Sequence, residues 1–216
     1  MAKPPRKRLP GKQRTSGGPR ARAVPRGVKA GLSQERALVD VAHVLDELEH
    51  PSAIIGGIAV VAWGFARFTA DIDCAIAAAS FESRDLLKHF ERGGFKPRAD
   101  DVVGFAEQNL VLLLRHRKTG VDVDVSLAQL EFEGAALRAA VVRNFGRTAI
   151  RVPTVTDLLI YKMVASRPKD IQDVQELLAL GHVVDADRVT STLEEFDELL
   201  DTDRKNEWLR LVEKRR

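Results

Sequence analysis

Asp71 and Asp73 bracket Ile72 at the head of an apolar run that continues through Cys74 to Ala77. On a strand, side chains two residues apart point to the same face, so both carboxylates project to one side. Like charges held that close repel, and a divalent cation between them removes the cost. Mg²⁺ demands oxygen ligands in octahedral geometry and usually takes two or three carboxylates. A third candidate stands in Val121-Asp122-Val123-Asp124-Val125, a second β-branched run with acids on one face. Asp124 is the expected third ligand, and Asp122, on the same face, is able to substitute or to shape the rim.

Upstream of these acids, Ile54-Ile55 runs into Gly56-Gly57. A glycine turn at a helix start can offer backbone N–H groups to phosphate, or it can be a plain strand-to-helix turn. No Gly-Lys-Ser/Thr follows, so it is not a Walker A loop. Arg67 and Thr69 lie just before the acids, where an arginine can contact phosphate or lock the turn against a carboxylate. Further on, Lys162 to Asp173 concentrates charge around Pro168. There Lys162 and Arg167 are candidate phosphate contacts oriented by Asp170, with ordinary helix-surface charge as the alternative. The histidines (His43, His50, His89, His116, His182) lack zinc-like spacing, and Ser126 and Ser166 lack a base at a recognisable spacing.

These groups need elements to position them. Ser33 suits an N-cap for a first helix carrying Leu38, Val41, Leu45 and Leu48, which His50-Pro51 ends. Ala53–Ile55 predicts a buried strand, Ile58–Phe65 a short helix, Asp71–Ala77 a second strand, and Phe81–Gly93 a helix with a glycine stop. Residues 109–116 and 121–127 read as a hairpin about Lys118-Thr119-Gly120. Phe132–Asn144 reads as a helix and Thr148–Val152 as a strand closed by Pro153. Beyond it, 156–166, 169–180, 185–200 and 204–214 read as helices. The pattern is a mixed α/β front half and a helical back half, an α+β class.

The chain has 216 residues, 44% hydrophobic and 30% charged, which suits one well-buried domain with an appended helical part. No apolar run reaches the roughly 20 residues that span a bilayer, and no apolar segment follows the basic N-terminus as in a secretory signal. A cytoplasmic protein without membrane contact is expected. The single cysteine, Cys74, excludes a disulfide framework and a cysteine-rich zinc site; it is read as either buried and inert or partly exposed. Residues 1–31 carry ten Lys/Arg and no acid. Taking those ten charges from the net +3 leaves −7 on residues 32–216. The segment reads as a disordered tail, either a solvated extension or an arm that contacts nucleic acid.

Gly56-Gly57-x-Ala59 followed by Gly64-x-x-Arg67-x-Thr69-x-Asp71-Ile72-Asp73 resembles the first signature of the DNA polymerase β-type nucleotidyltransferase superfamily. The closer resemblance is to minimal bacterial nucleotidyltransferases, including AbiEii-type toxins of abortive-infection systems. Val123 to Leu127 with Phe132-Glu133 resembles the third-carboxylate strand and the helix after it, and Lys162 to Asp173 a downstream helical motif. The likeness covers residues 36–181, and the usual Gly-Ser is Gly-Gly here, which removes a hydroxyl contact to phosphate. It implies a small mixed sheet of the nucleotidyltransferase fold flanked by helices, with a catalytic domain at 32–152 and a helical region at 153–216 that completes the nucleotide site. It implies transfer of a nucleoside monophosphate from an NTP to an acceptor hydroxyl, with two Mg²⁺ on Asp71, Asp73 and Asp124. Gly56, Gly57, Arg67, Thr69, Lys162, Arg167 and Asp170 form the nucleotide side, and Asp124 is the candidate general base. RNA (such as tRNA) or protein is the expected acceptor, with an antitoxin as a possible partner. A small-molecule transferase of the antibiotic type and a non-catalytic NTP- or RNA-binding protein are the alternatives.

Overall fold

The computed structural model describes residues 26–48, 50–77 and 83–214. The tail expected at 1–31 therefore lies outside the described residues up to 25, while its last residues are helical: α1 runs Arg26–Glu47, and Ser33 sits inside it rather than at its cap. Its buried face carries Leu38, Val41, Leu45 and Leu48, as the apolar spacing predicts.

Among the described residues a five-stranded sheet has the order β1-β2-β5-β4-β3. β1 (Ser52–Ile54) pairs antiparallel with β2 (Ile72–Ala77), and β2 pairs parallel with β5 (Asp122–Ala128). β4 (Val111–His116) and β3 (Phe95–Pro97) complete the sheet in antiparallel pairing. Alternation splits its two faces. Ile72, Cys74, Ile76, Val123, Val125 and Leu127 enter the main core, and the opposite face of the same strands carries Asp73, Asp122 and Asp124. Next to those acids the second face is closed by small side chains, Ala53, Ala75 and Ala128, under Leu137 of α5 (Glu131–Arg138). Cys74 is fully buried, and burial pushes its thiol pKa up, which settles it as an inert core residue.

Two short elements are absent from the sequence reading. Three-residue β3 is too brief to carry a pattern, and α4 (Val102–Asn109) is capped by Asp101, whose carboxylate accepts from the Gly104 N–H at 3.0 Å. The helix expected at 132–144 is a correction. α5 stops at Arg138, and Val141–Phe145 is β6, which pairs with β7 (Thr148–Val152) around Gly146 at φ +59°. The β-branched Val141-Val142 pair and a glycine in the left-handed region favour a hairpin over another helical turn. α3 covers Ser83–Arg92; Phe81 and Glu82 lie outside the described residues.

The remaining helices follow the predicted pattern closely: α6 (Val155–Ala165), α7 (Pro168–Ala179), α8 (Ala186–Leu200) and α9 (Arg204–Glu213). Their apolar residues, Leu158, Leu159, Val174, Leu193 and Trp208 among them, join the same core as the sheet. Trp63 fastens the two halves: its Nε1 donates to the Pro153 carbonyl at 3.0 Å, and His182 Nε2 lies 2.8 Å from the Trp63 carbonyl. No helix among the described residues is long and apolar enough to cross a membrane.

Candidate active site

The glycine turn is placed by the sheet. The Ile55 N–H donates to the Asp73 carbonyl at 2.8 Å, which carries the chain across the Asp73 side chain and into α2 (Gly56–Ala62). Gly56 takes φ +63°, and a Cβ there would lie 2.0 Å from Asp73 Oδ2. A Cβ on Gly57 would lie 2.6 Å from Arg67 Nη2 and 2.8 Å from Thr69 Oγ1. Both glycines are thus required by close approach, the first of the Asp73 carboxylate and the second of two polar groups that crowd the turn.

The segment from Phe65 to Ala70 is extended, and burial alternates along it, turning Arg67 and Thr69 inward and leaving Phe68 exposed. Gln34 of α1 braces it, donating from Nε2 to the Thr69 carbonyl at 2.9 Å. Thr69 Oγ1 donates to Asp71 Oδ1 at 3.2 Å.

A cavity of about 190 Å³ opens here. Gly56, Gly57, Arg67, Thr69, Asp71, Asp73, Lys162 and Arg167 line it, eight of the residues singled out by sequence, together with Lys169. Lys169 lies inside the downstream motif, and its place two residues after Arg167 is its signal in the sequence. Asp170 is fully buried and stands behind the wall. It accepts from Lys162 Nζ at 3.0 Å and from Arg167 Nε at 2.6 Å. Burial pushes its carboxyl pKa up, but the hydrogen bonds from Arg167 and Lys162 outweigh it and hold the group below its ordinary range. Asp173, also unassigned by sequence, is the second buried brace: Lys162 Nζ is 2.8 Å from one of its oxygens and Arg67 Nε is 3.1 Å from the other. These two are ion pairs without hydrogen-bond alignment. Pro168 at the start of α7 separates the helices, so that the α6 lysine and the α7 acids meet.

The acids behave differently. Asp73 and Asp124 are direct partners in the parallel β2–β5 register, on the same face. Burial pushes Asp73 up and the Asp71 charge adds to it, against the pull of Lys162, Lys169 and Arg167. Burial also pushes Asp124 up; Arg98 opposes this, and Asp73, Asp71 and Asp122 add to it. Two opposed, half-buried carboxylates with a third close by and their proton affinity raised are a donor set suited to a hard divalent cation. In this conformation Asp71 is turned to Thr69 and Asp124 to Arg98, and among the described residues no three ligating side chains enclose a point. Asp122, on the same face, is held by Arg115 Nε at 2.6 Å and Arg98 Nη1 at 3.1 Å; the Arg115 hydrogen bond foremost keeps it below its ordinary pKa. Both of its oxygens are thus paired with arginine in this conformation. Arg98 is the one group at this site with no signal in the sequence.

The mixed sheet thus brings opposed acids, a glycine turn and a wall of cations to one place. The chain belongs to the family described as "Nucleotidyltransferase of unknown function (DUF6036)", whose profile matches residues 36–216. It is therefore a nucleotidyltransferase, an enzyme of the phosphorus-group transferases. No curated protein matches the sequence. Among solved structures, it resembles the antibiotic-resistance factor ANT(2'')-Ia in solution, at 13% identity and TM-score 0.55, over 78% of this chain and 93% of that one. The crystal structure of ANT(2")-Ia in complex with adenylyl-2"-tobramycin gives 16% identity and TM-score 0.53, over 77% and 98%. An antigenic nucleotidyltransferase-like protein from Paracoccidioides brasiliensis gives 18% identity and TM-score 0.49, over 77% and 88%. At these identities the likeness is one of fold.

Proposed function

We propose that the protein transfers a nucleoside monophosphate from an NTP to the hydroxyl of an acceptor. The observation that carries this reading is the register pairing of Asp73 with Asp124 beside a cavity lined by Arg67, Lys162, Arg167 and Lys169. Carboxylates opposed across a parallel pair call for cations, and clustered cations within the same reach call for phosphate.

The triphosphate lies in that cavity. The N–H groups of Gly56 and Gly57 cradle it from the α2 side, and Lys162, Arg167 and Lys169 neutralise the β and γ phosphates. Arg67 Nη2 and Thr69 Oγ1 crowd Gly57, and the Arg67 guanidinium offers a further donor there. Asp170 and Asp173 do not touch substrate; they fix Lys162, Arg167 and Arg67 in position. Two Mg²⁺ ions held by Asp71, Asp73 and Asp124 would lower the pKa of the acceptor hydroxyl and neutralise the leaving pyrophosphate. The acceptor oxygen forms its bond to the α-phosphorus as the bond to the β-phosphate oxygen breaks. Asp124 is the candidate general base that takes its proton.

RNA is the acceptor we favour, because ten Lys/Arg and no acid precede residue 32. Protein hydroxyls are the second choice. An amino-sugar acceptor, of the kind whose adenylyl adduct is bound in the ANT(2")-Ia crystal, is the small-molecule alternative. A toxin role of the AbiEii type, with a protein antitoxin, predicts growth arrest on expression of the wild type and not of Asp73→Ala. The transfer reading itself is checked with Mg²⁺, each α-labelled NTP and total RNA, protein or small alcohols. Label moves to one acceptor class and is lost in Asp73→Ala; label transfer surviving that substitution contradicts the catalytic assignment.

A further inference from the structure

Arg98 follows the edge strand β3, where its backbone N–H donates to the Leu113 carbonyl at 3.0 Å. From there the guanidinium reaches across β4 to β5, where Nη1 donates to Asp122 Oδ2 and Nη2 to Asp124 Oδ1. Asp122 is fully engaged, because Arg115 holds both its oxygens, Oδ1 at 2.6 Å and Oδ2 at 3.2 Å. Asp124, by contrast, has Arg98 as its cation, and it faces Asp73 across the sheet.

A guanidinium and a divalent cation compete for Asp124, since each is stabilised by the same oxygens and each repels the other. We propose that Arg98 is an exchangeable counter-ion that holds Asp124 in the free protein and turns to a substrate phosphate when a divalent cation takes that carboxylate. The inference rests on the nucleotidyl-transfer reading of the same site. Its destination follows from which donor is released. Asp122, held by Arg115 on both oxygens, also keeps Arg98 Nη1, and the backbone bond to Leu113 keeps Arg98 beside Asp124, where acceptor hydroxyl and α-phosphate must meet. The Nη2 donor that leaves Asp124 in that place binds a phosphate oxygen. Two sources offer one, the α-phosphate of the NTP and a phosphodiester of an RNA acceptor.

Titration calorimetry of the full chain with Mg²⁺ alone tests the exchange without any turnover. Arg98→Gln binds Mg²⁺ at least about tenfold more tightly than wild type, because the competitor is gone. Arg115→Gln, which frees only Asp122, leaves that affinity within about twofold and controls for general loss of positive charge. In labelling assays Arg98→Gln loses about 100-fold in kcat/KM, and Arg98→Lys regains part of it. A rise in KM for the NTP identifies the α-phosphate as partner; a loss seen only against RNA, with KM for the NTP unchanged, identifies the acceptor phosphate. Unchanged or weaker Mg²⁺ binding in a folded Arg98→Gln, or unchanged kcat/KM, overturns the proposal. A wild type that binds Mg²⁺ yet labels no acceptor contradicts the transfer reading instead, and the calorimetry still decides the exchange.

Discussion

Two groups of charges meet at the cavity, which Lys162 and Arg167 line from one and Asp73 from the other, and they are built on opposite principles. At the α6–α7 joint, Lys162, Asp170 and Asp173 are buried and each is paired, with Arg67 and Arg167 completing the lattice. On β2 and β5, Asp73 and Asp124 face each other with like charge and with proton affinity pushed up. The first group is compensated within the protein and holds a shape. The second is less compensated: Arg98 pairs with Asp124, and Asp73 has no ion pair of its own among the described residues. A surface of fixed cations beside a deficit of cations is what a site for metal and triphosphate needs from its protein part.

The largest test of that contrast is Asp73→Asn. It should lower nucleotidyl transfer by at least about 10³-fold, as loss of a carboxylate that handles transition-state charge. The metal-free protein should melt no lower than wild type, because an under-compensated charge has been removed. A clear fall in Tm would show that Asp73 is a structural anion and would erase the distinction. Lys162→Met comes next. It removes the cation shared by two buried carboxylates, leaving Asp170 to Arg167 and Asp173 to Arg67, and should cost about 3 kcal/mol in denaturant unfolding. Adding Asp170→Asn should recover part of that loss, since the two positions share one network.

The two groups also respond to acid with opposite sign. Asp170 has a depressed folded pKa, so its contribution is present above the unfolded carboxylate value of about 3.9 and is lost as pH falls through the folded value. Asp73 and Asp124 have raised folded pKa values, so their contribution is present below the unfolded value and is lost as pH rises through the folded one. Stability of the metal-free protein should therefore rise slightly as pH drops toward the carboxylate range and then fall below about pH 4. Asp170→Asn should flatten the acid limb, and Asp73→Asn the shallow rise. The smallest effect is expected of Gly57→Ser. Its Cβ would press on Arg67 Nη2 and Thr69 Oγ1, and KM for the NTP should rise roughly fivefold, about 1 kcal/mol.

The acids were legible because strand alternation is local: Asp71-x-Asp73 and Asp122-x-Asp124 declare their shared face without knowledge of any partner. Their pairing was not, since nothing in either run states that Asp73 meets Asp124 in parallel register. The lattice was legible as a motif but not as a device. Lys162 and Asp170 suggested phosphate contact and orientation, whereas the roles of Asp173 and Lys169 depend on the angle that α7 makes after Pro168. Arg98 was hidden altogether, as its contacts to Asp122 and Asp124 span 24 and 26 residues and depend on a three-residue edge strand. β6 is masked in the sequence because the apolar residues after Phe132 extend the helical pattern past Arg138, and only pairing with β7 commits Val141 and Val142 to a strand. α1 begins earlier than expected for a similar reason: Gly27 and Gly31 and the flanking basic composition masked its first turns.

The central claim is that Asp73 and Asp124 serve nucleotidyl transfer, and parallel assays with α-labelled and γ-labelled NTP test it most directly. With Mg²⁺ and total RNA, the α label should remain on the acceptor while the γ label leaves as pyrophosphate, and both signals should vanish in Asp73→Asn. Label transfer that persists in that variant, or a γ label retained on the acceptor, would contradict it.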